Sequence, residues 1–235
     1  MKTLREYVRE QLDDNSNVLI TEGKFWDWLK SLFSGKNKKS KNEYQKWLNS
    51  DNNNKKYDDI KNKLNKEFNN KSSDIFSNIG DDPSEEDVLK SINEYKKLSD
   101  KKLEILKKLN TDNEEKIEKA SNEVKKAIAI ECAAEELKSL RDWGNLYKHQ
   151  LNFLKDNDPN KDKNLSNIVE GAKKYFNWFI ESYYKDKDSE IKTAVADVFK
   201  KAKAYKYLDI SDNDIKLNEK NYVEILKKSA QKENK

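Results

Sequence analysis

Chemistry in a folded chain starts with groups that titrate, attack or ligate, and here several of those types are nearly missing. His149 is the single histidine and Cys132 the single cysteine, so any Ser-His-Asp or Cys-His device would run through them. They stand far apart in sequence, and Cys132 has no basic or glycine-rich setting to activate its thiol. We read His149 as a half-exposed helix residue and Cys132 as part of an apolar helical stretch. One histidine and one cysteine cannot build a usual zinc site, and the Glu-x-x-His pairs of di-iron bundles do not occur. Asp209-Ile210-Ser211-Asp212-Asn213-Asp214 starts like a calcium loop, but it lacks glycine at the sixth position and Glu219 comes one place too early. Asp156-Asn157-Asp158-Pro159-Asn160 fails similarly, and both stretches are expected to be helix stops and caps. No glycine-rich phosphate loop appears. The expectation is a protein without metal or cofactor and without a catalytic constellation. A carboxylate-only enzyme stays open, because 44 acidic residues allow pairs that sequence cannot pick out.

One stretch reads as a substrate for another enzyme. In Ile20-Thr21-Glu22-Gly23 an apolar anchor stands two positions before a carboxylate, and a small residue follows it. A protease needs extended backbone in its cleft, and the carboxylate offers a charge-assisted contact. Val18-Leu19-Ile20-Thr21 is rich in β-branched residues and prefers that backbone. Asp13-Asp14-Asn15-Ser16-Asn17 ahead of it competes for helical hydrogen bonds and stops any helix before it. The same pattern recurs at Ile168-Val169-Glu170-Gly171, inside the strongest predicted helix, where cutting would first require unfolding. Position therefore selects Glu22.

The 235 residues suit one ordinary domain with an extension, and with 34% apolar and 39% charged residues the core must be thin. Two prolines and five glycines are too few for a turn-rich all-β fold. Basic and acidic residues nearly balance, 48 against 44. Arg5, Arg9 and Arg141 are the only arginines, which disfavours sequence-specific reading of nucleic acid. Lysine contact with DNA phosphates is compatible with this composition, although the surface reads first as solvated lysine. The lone cysteine fits synthesis in a reducing cytoplasm. No run reaches the roughly 18 apolar residues of a membrane span, and the charged opening lacks the apolar run of a secretion signal, so export by that route is not expected.

The fold class expected is all-α, an antiparallel helical bundle preceded by a flexible N-terminal targeting segment and an amphipathic helix. Residues 1–22 form the segment, with Leu4, Tyr7, Val8 and Leu12 in one apolar stripe. Residues 23–34 form the amphipathic helix, with Phe25, Trp26, Trp28, Leu29, Leu32 and Phe33 as its aromatic face. That face fits core packing or a protein partner. Ringed by lysines, it also fits transient contact with a bilayer. Residues 35–83 read as an Asn/Lys-rich mobile region with marginal helices anchored by Tyr44, Trp47, Leu48, Tyr57, Ile60, Leu64 and Phe68. Residues 84–235 read as the bundle domain. Ser84 and Asp87 open one helix by a capping box, and Thr111 with Glu114 opens a second, stopping near Trp143-Gly144. Tyr147, Leu151 and Leu154 mark another. The clearest stripe is Leu165, Ile168, Val169, Ala172, Phe176, Phe179, Ile180 and Tyr183, with Ile191, Val195, Val198, Ala202 and Tyr205 as its partner. A last helix is expected over residues 218–228.

Met1-Lys2-Thr3, Tyr7, the Leu4/Val8/Leu12 stripe and the closing Ile20-Thr21-Glu22-Gly23 resemble the capsid-targeting sequences of internal head proteins in T-even-type tailed phages. Asp13 to Asn17 makes a longer spacer than in many such tags. The resemblance covers roughly a tenth of the chain and says nothing of residues 35–235. It implies that Leu4, Tyr7, Val8 and Leu12 dock on the prohead scaffold and that a prohead protease cuts between Glu22 and Gly23. It implies a location in the virion interior, capsid or tail lumen, with host cytoplasm before assembly and after ejection. Two other roles fit the helical body, a structural component of the portal–tail region and an injected effector that binds a host protein.

Overall fold

In the computed structural model, which describes Trp28 and residues 31–79, 84–153, 161–211 and 214–233, the helical stripes become seven α-helices. They are α1 (Lys38–Ser50), α2 (Asn52–Ser77), α3 (Glu85–Lys119), α4 (Asn122–Phe153), α5 (Lys161–Tyr183), α6 (Ser189–Lys201) and α7 (Glu219–Glu233). A single antiparallel hairpin among the described residues, β1 (Leu208–Ile210) with β2 (Ile215–Leu217), pairs Leu208 with Leu217 and Ile210 with Ile215. The architecture is an all-α helical bundle.

Local chemistry sets most boundaries. Asp51 takes extended backbone between α1 and α2 and accepts the Asn53 N–H at 2.7 Å, so one residue ends a helix and caps the next. Ser84 and Asp87 form the expected reciprocal box, Asp87 N–H to Ser84 Oγ at 3.2 Å and Ser84 N–H to Asp87 Oδ2 at 3.0 Å. Thr111 does not open a helix, because α3 runs on to Lys119. The Thr111 hydroxyl donates back to the Lys107 carbonyl at 3.1 Å, and the Asn113 amide to the Leu109 carbonyl at 2.8 Å. Those side chains are satisfied inside the helix instead of capping one. The break comes at Ala120, whose backbone is extended. Nor does Trp143-Gly144 end a helix, since α4 continues through Tyr147 and Leu151 to Phe153. A Cβ on Gly144 would meet Leu226 Cδ2 at 3.0 Å and the Tyr222 hydroxyl at 3.3 Å. Glycine there serves the close approach of α7.

The core is organised around α4, which packs against α1, α3, α5, α6 and α7, while α2 packs against α1 and α3. Ala127, Ala129, Ala133 and Ala134 let the surrounding helices come close, and Leu137, Leu140, Trp143 and Leu146 fill the remaining space. With neighbours on so many sides, α4 also buries Glu136, Lys138, Arg141, Asp142, Lys148 and Gln150. The stripe of α5 is buried as expected, from Leu165 and Ile168 through Phe176 and Phe179 to Tyr183. On α6 the stripe holds for Ile191, Val195, Val198 and Ala202, whereas Tyr205 is 56% exposed. α6 stops at Lys201, and the left-handed Lys203 (φ 56°) turns the chain before Tyr205.

Two further expectations change. The 209–214 stretch does not stop a helix, since Asp209 and Ile210 lie in β1 and Asp214 directly precedes β2. Its flanks alternate in burial, and Ser211 and Asp214 bond across the turn, with Ser211 N–H to the Asp214 carbonyl at 2.8 Å. β-Branched Ile210 and Ile215 suit the pleated pair. The Asn/Lys-rich region carries two long helices, α1 and α2, pinned by buried Tyr44, Leu48, Tyr57 and Phe68, with Ile60 left 48% exposed.

Candidate functional site

The segment that resembles a targeting tag (Leu4, Tyr7, Val8, Leu12) and the cleavage pattern (Ile20, Thr21, Glu22, Gly23) lie outside the described residues, as do Phe25, Trp26 and Leu29. The described part of the aromatic face belongs to the core. Leu32 and Phe33 are buried, Trp28 packs half-buried against the main core cluster, and the Asn37 amide donates to the Leu32 carbonyl at 2.8 Å. The second copy of the cleavage pattern sits within α5, with Ile168 and Val169 buried and only Glu170 exposed. Its glycine has a structural reason. A Cβ on Gly171 would lie 2.6 Å from Trp143 Cη2 and 2.7 Å from Cζ2.

A cleft of about 590 Å³ opens among α1, α2, α4 and α5. One wall carries the amides of Asn62, Asn65 and Asn69 from α2. Tyr175, Trp178, Phe179 and Tyr183, at helical spacing on α5, line it as well. Glu131, Cys132 and Glu135 rise from α4 beneath them. Tyr183 donates to Asn110 of α3 at 2.8 Å and fixes one end. Lys61 reaches into this space from α2, its ammonium 2.6 Å from Glu131 and 3.8 Å from Asp58, over the rings of Tyr44 and Tyr57 at 5.6 and 5.8 Å. Lys102 stands 4.3 Å from the Phe68 ring and 3.7 Å from Glu135. Each cation thus has an aromatic face and a carboxylate from the chain itself.

The titration behaviour follows from this enclosure. Burial works against the charge of Lys61, but Glu131 and the phenols Tyr44 and Tyr57 outweigh it and hold the ammonium well above its ordinary range. A locked ammonium is no Schiff-base nucleophile or general base. Burial pushes the Cys132 thiol up to about 11, so it is not a thiolate at neutral pH. Burial, then Lys148, pulls His149 down to about 4, leaving a neutral imidazole rather than an acid–base group poised near pH 7. The cleft therefore offers stacking faces and amides, with Lys61 and Lys102 each held beside a carboxylate.

Glu136 is the buried group that sequence reasoning passed over. It is 0% exposed, and neither carboxylate oxygen accepts a hydrogen bond among the described residues. Burial holds its carboxyl well above the usual range, with Lys102 opposing, so the acid is kept neutral in the core. Its neighbours in sequence, Glu131 and Glu135, look the same on paper, and only the packing of α4 distinguishes it.

Among the described residues no cluster of three or more His, Cys, Asp or Glu could hold a metal ion, and no helix is long and apolar enough to cross a membrane. Comparison with protein-family models, with curated proteins and with solved structures returns no match to this chain.

Proposed function

We propose that the protein is a virion-internal cargo or structural protein of a tailed phage, carried into the prohead by residues 1–22 and released there by cleavage after Glu22. The observation that carries this reading is the contrast between two copies of one short pattern. Ile168-Val169-Glu170-Gly171 is enclosed within α5, and its Gly171 is accounted for by Trp143. Ile20-Thr21-Glu22-Gly23 precedes every described residue of the main core cluster, which runs from Leu32 to Leu226. A cut after Glu22 would leave that core in one piece. The docking stripe Leu4, Tyr7, Val8 and Leu12 supplies the apolar contact with scaffold helices, and charges at its rim add to it.

Charge supports the same assignment. Three of the 48 basic and five of the 44 acidic residues lie in residues 1–22, so 45 and 39 remain after the cut and the net charge rises from +4 to +6. A more basic product suits a compartment filled with DNA. The test is the N-terminal residue of the protein recovered from purified particles, read by mass spectrometry. Gly23 is expected, and Glu22→Ala is expected to leave the chain starting at Met1. Uncut protein in mature particles, or trimming at the same bond in the Glu22→Ala chain, would overturn the reading.

A further inference from the structure

Residues 35–41 and 200–206 each carry four lysines and no acid; residues 96–102 match that lysine density but include Asp100. Elsewhere lysines alternate with acids at helical spacing and pair locally, as Lys63 with Glu67 and Lys185 with Glu181 do. The fold brings the two stretches to one place. Lys36 is paired with Asp197 on α6, and Lys200 and Lys201 follow Asp197 by three and four positions, one turn further along the same face. Ser40 donates to Glu123 at 2.5 Å, which anchors the start of α1 to the start of α4. All eight lysines are exposed.

The acids that face this pole are few. Asp197 is paired with Lys36, Glu123 lies 3.5 Å from Lys39, and Glu190 lies 3.9 Å from Lys126, which offsets it. Leaving Lys203 out of the count, seven lysines against Asp197 and Glu123 leave five positive charges (7 − 2), against a net charge of +6 for residues 23–235. Most of the net positive charge of that span therefore lies on these two stretches.

We propose that this pole is a backbone interface for double-stranded DNA, bound without sequence preference. Lysine is a point charge on a flexible stem that neutralises phosphates and displaces counterions but does not read base edges bidentately. The sole described arginine, Arg141, is buried in α4, away from these stretches. A bilayer is the weaker match, because interfacial binding needs an apolar face to insert. Among the described residues the only exposed large apolar side chains are Ile60 and Tyr205, and Tyr205 alone lies in this pole. The inference is independent of cleavage at Glu22, since none of its residues lies in the segment removed.

The experiment measures fluorescence anisotropy of a labelled mixed-sequence duplex with the full chain, between about 50 and about 200 mM salt. Lys38, Lys41, Lys200 and Lys201 are changed to Gln together. Lys96, Lys97, Lys107 and Lys108 on α3, exposed to the same degree and worth the same charge, are changed to Gln as the control. The parent is expected to bind with a slope of log affinity against log salt of about −4 to −5. The pole variant is expected to lose at least about 10-fold in affinity and to flatten that slope by about 3, while the control changes less than about 3-fold. A Lys200→Gln, Lys201→Gln pair, expected to show about half the slope change, serves if the fourfold variant melts early. Equal losses in pole and control, or no binding at the lowest salt, would overturn the proposal. So would tighter pole-dependent binding to phosphatidylglycerol vesicles than to the duplex.

Discussion

Gly171→Ala sets two sizeable effects against each other. In the interior of a helix, replacing glycine by alanine ordinarily stabilises by about 1 kcal/mol, because the unfolded chain loses freedom. At Gly171 the new Cβ would stand 2.6, 2.7 and 3.0 Å from three ring atoms of Trp143. Carbon atoms prefer about 3.5–4.0 Å, so the indole or the α5 backbone must retreat by roughly 1 Å. The indole has little room, being 1% exposed and set edge-on to Tyr95 at 4.9 Å between centroids. Overpacking of this kind costs about 1–3 kcal/mol. Sterics should therefore outweigh propensity by up to about 2 kcal/mol, which for a chain of this size lowers the melting midpoint by up to roughly 8 °C. Circular dichroism melts of the parent and of Gly171→Ala measure it. Trp143→Phe, which shortens the offending ring, completes a double-mutant cycle, and in that background Gly171→Ala should become neutral or stabilising. A midpoint that rises in the parent background would refute the reasoning and return Gly171 to an ordinary helical glycine.

The remaining expectations concern α4 and what it faces. The folded pKa of Glu136 lies above its ordinary 4.5, so above that pH the unfolded chain gives up a proton that the folded chain retains. Stability should fall as pH rises from 4.5 towards the raised value, and Glu136→Gln should flatten that decline, its advantage in urea midpoint growing from pH 4 to pH 7. Parallel pH profiles for the two proteins would dispose of the idea. Lys61→Met strands Glu131 and should cost about 1–3 kcal/mol, less than a fully buried pair, because the Glu131 side chain keeps 30% of its exposure. Adding Glu131→Gln should recover most of the loss, and a failure to recover would assign Lys61 to packing alone. With its thiol near 11, Cys132 should react with iodoacetamide at pH 8 on the order of 100-fold more slowly than a free cysteine, and equally fast in denaturant. Native labelling at the free rate would contradict the burial assigned to it.

How far the fold could be read in advance depended on whether a helix has two unlike faces. α5 does, and its stripe from Leu165 to Tyr183 was plain from spacing alone. So was the Ser84–Asp87 box, a purely local device. α4 has neighbours on most sides, so its apolar residues follow no single stripe, and local signals were given the wrong weight. Gly144 looked like a stop because the approach of Tyr222 and Leu226 comes from a helix far along the chain. Thr111 looked like a cap because its bond to the Lys107 carbonyl cannot be told from capping by residue type. The hairpin at residues 208–217 hid behind acidic turn residues that also end helices. The cleft was invisible for a related reason. Lys61 meets Glu131, and the amides of α2 meet the aromatics of α5, only through tertiary packing.

The position of α4 bears on how the protein can come apart. It is clasped by α1 from earlier in the chain and by α5, α6 and α7 from later, and Tyr222 of α7 is tied by its hydroxyl to the Leu140 carbonyl at 2.6 Å. Peeling away α1 or α7 uncovers the flank of a rod that also holds Glu136, Lys138 and Gln150. Neither half of the molecule can shelter that rod without the other. The described helices therefore share one core across α4, and the body is expected to unfold as a unit.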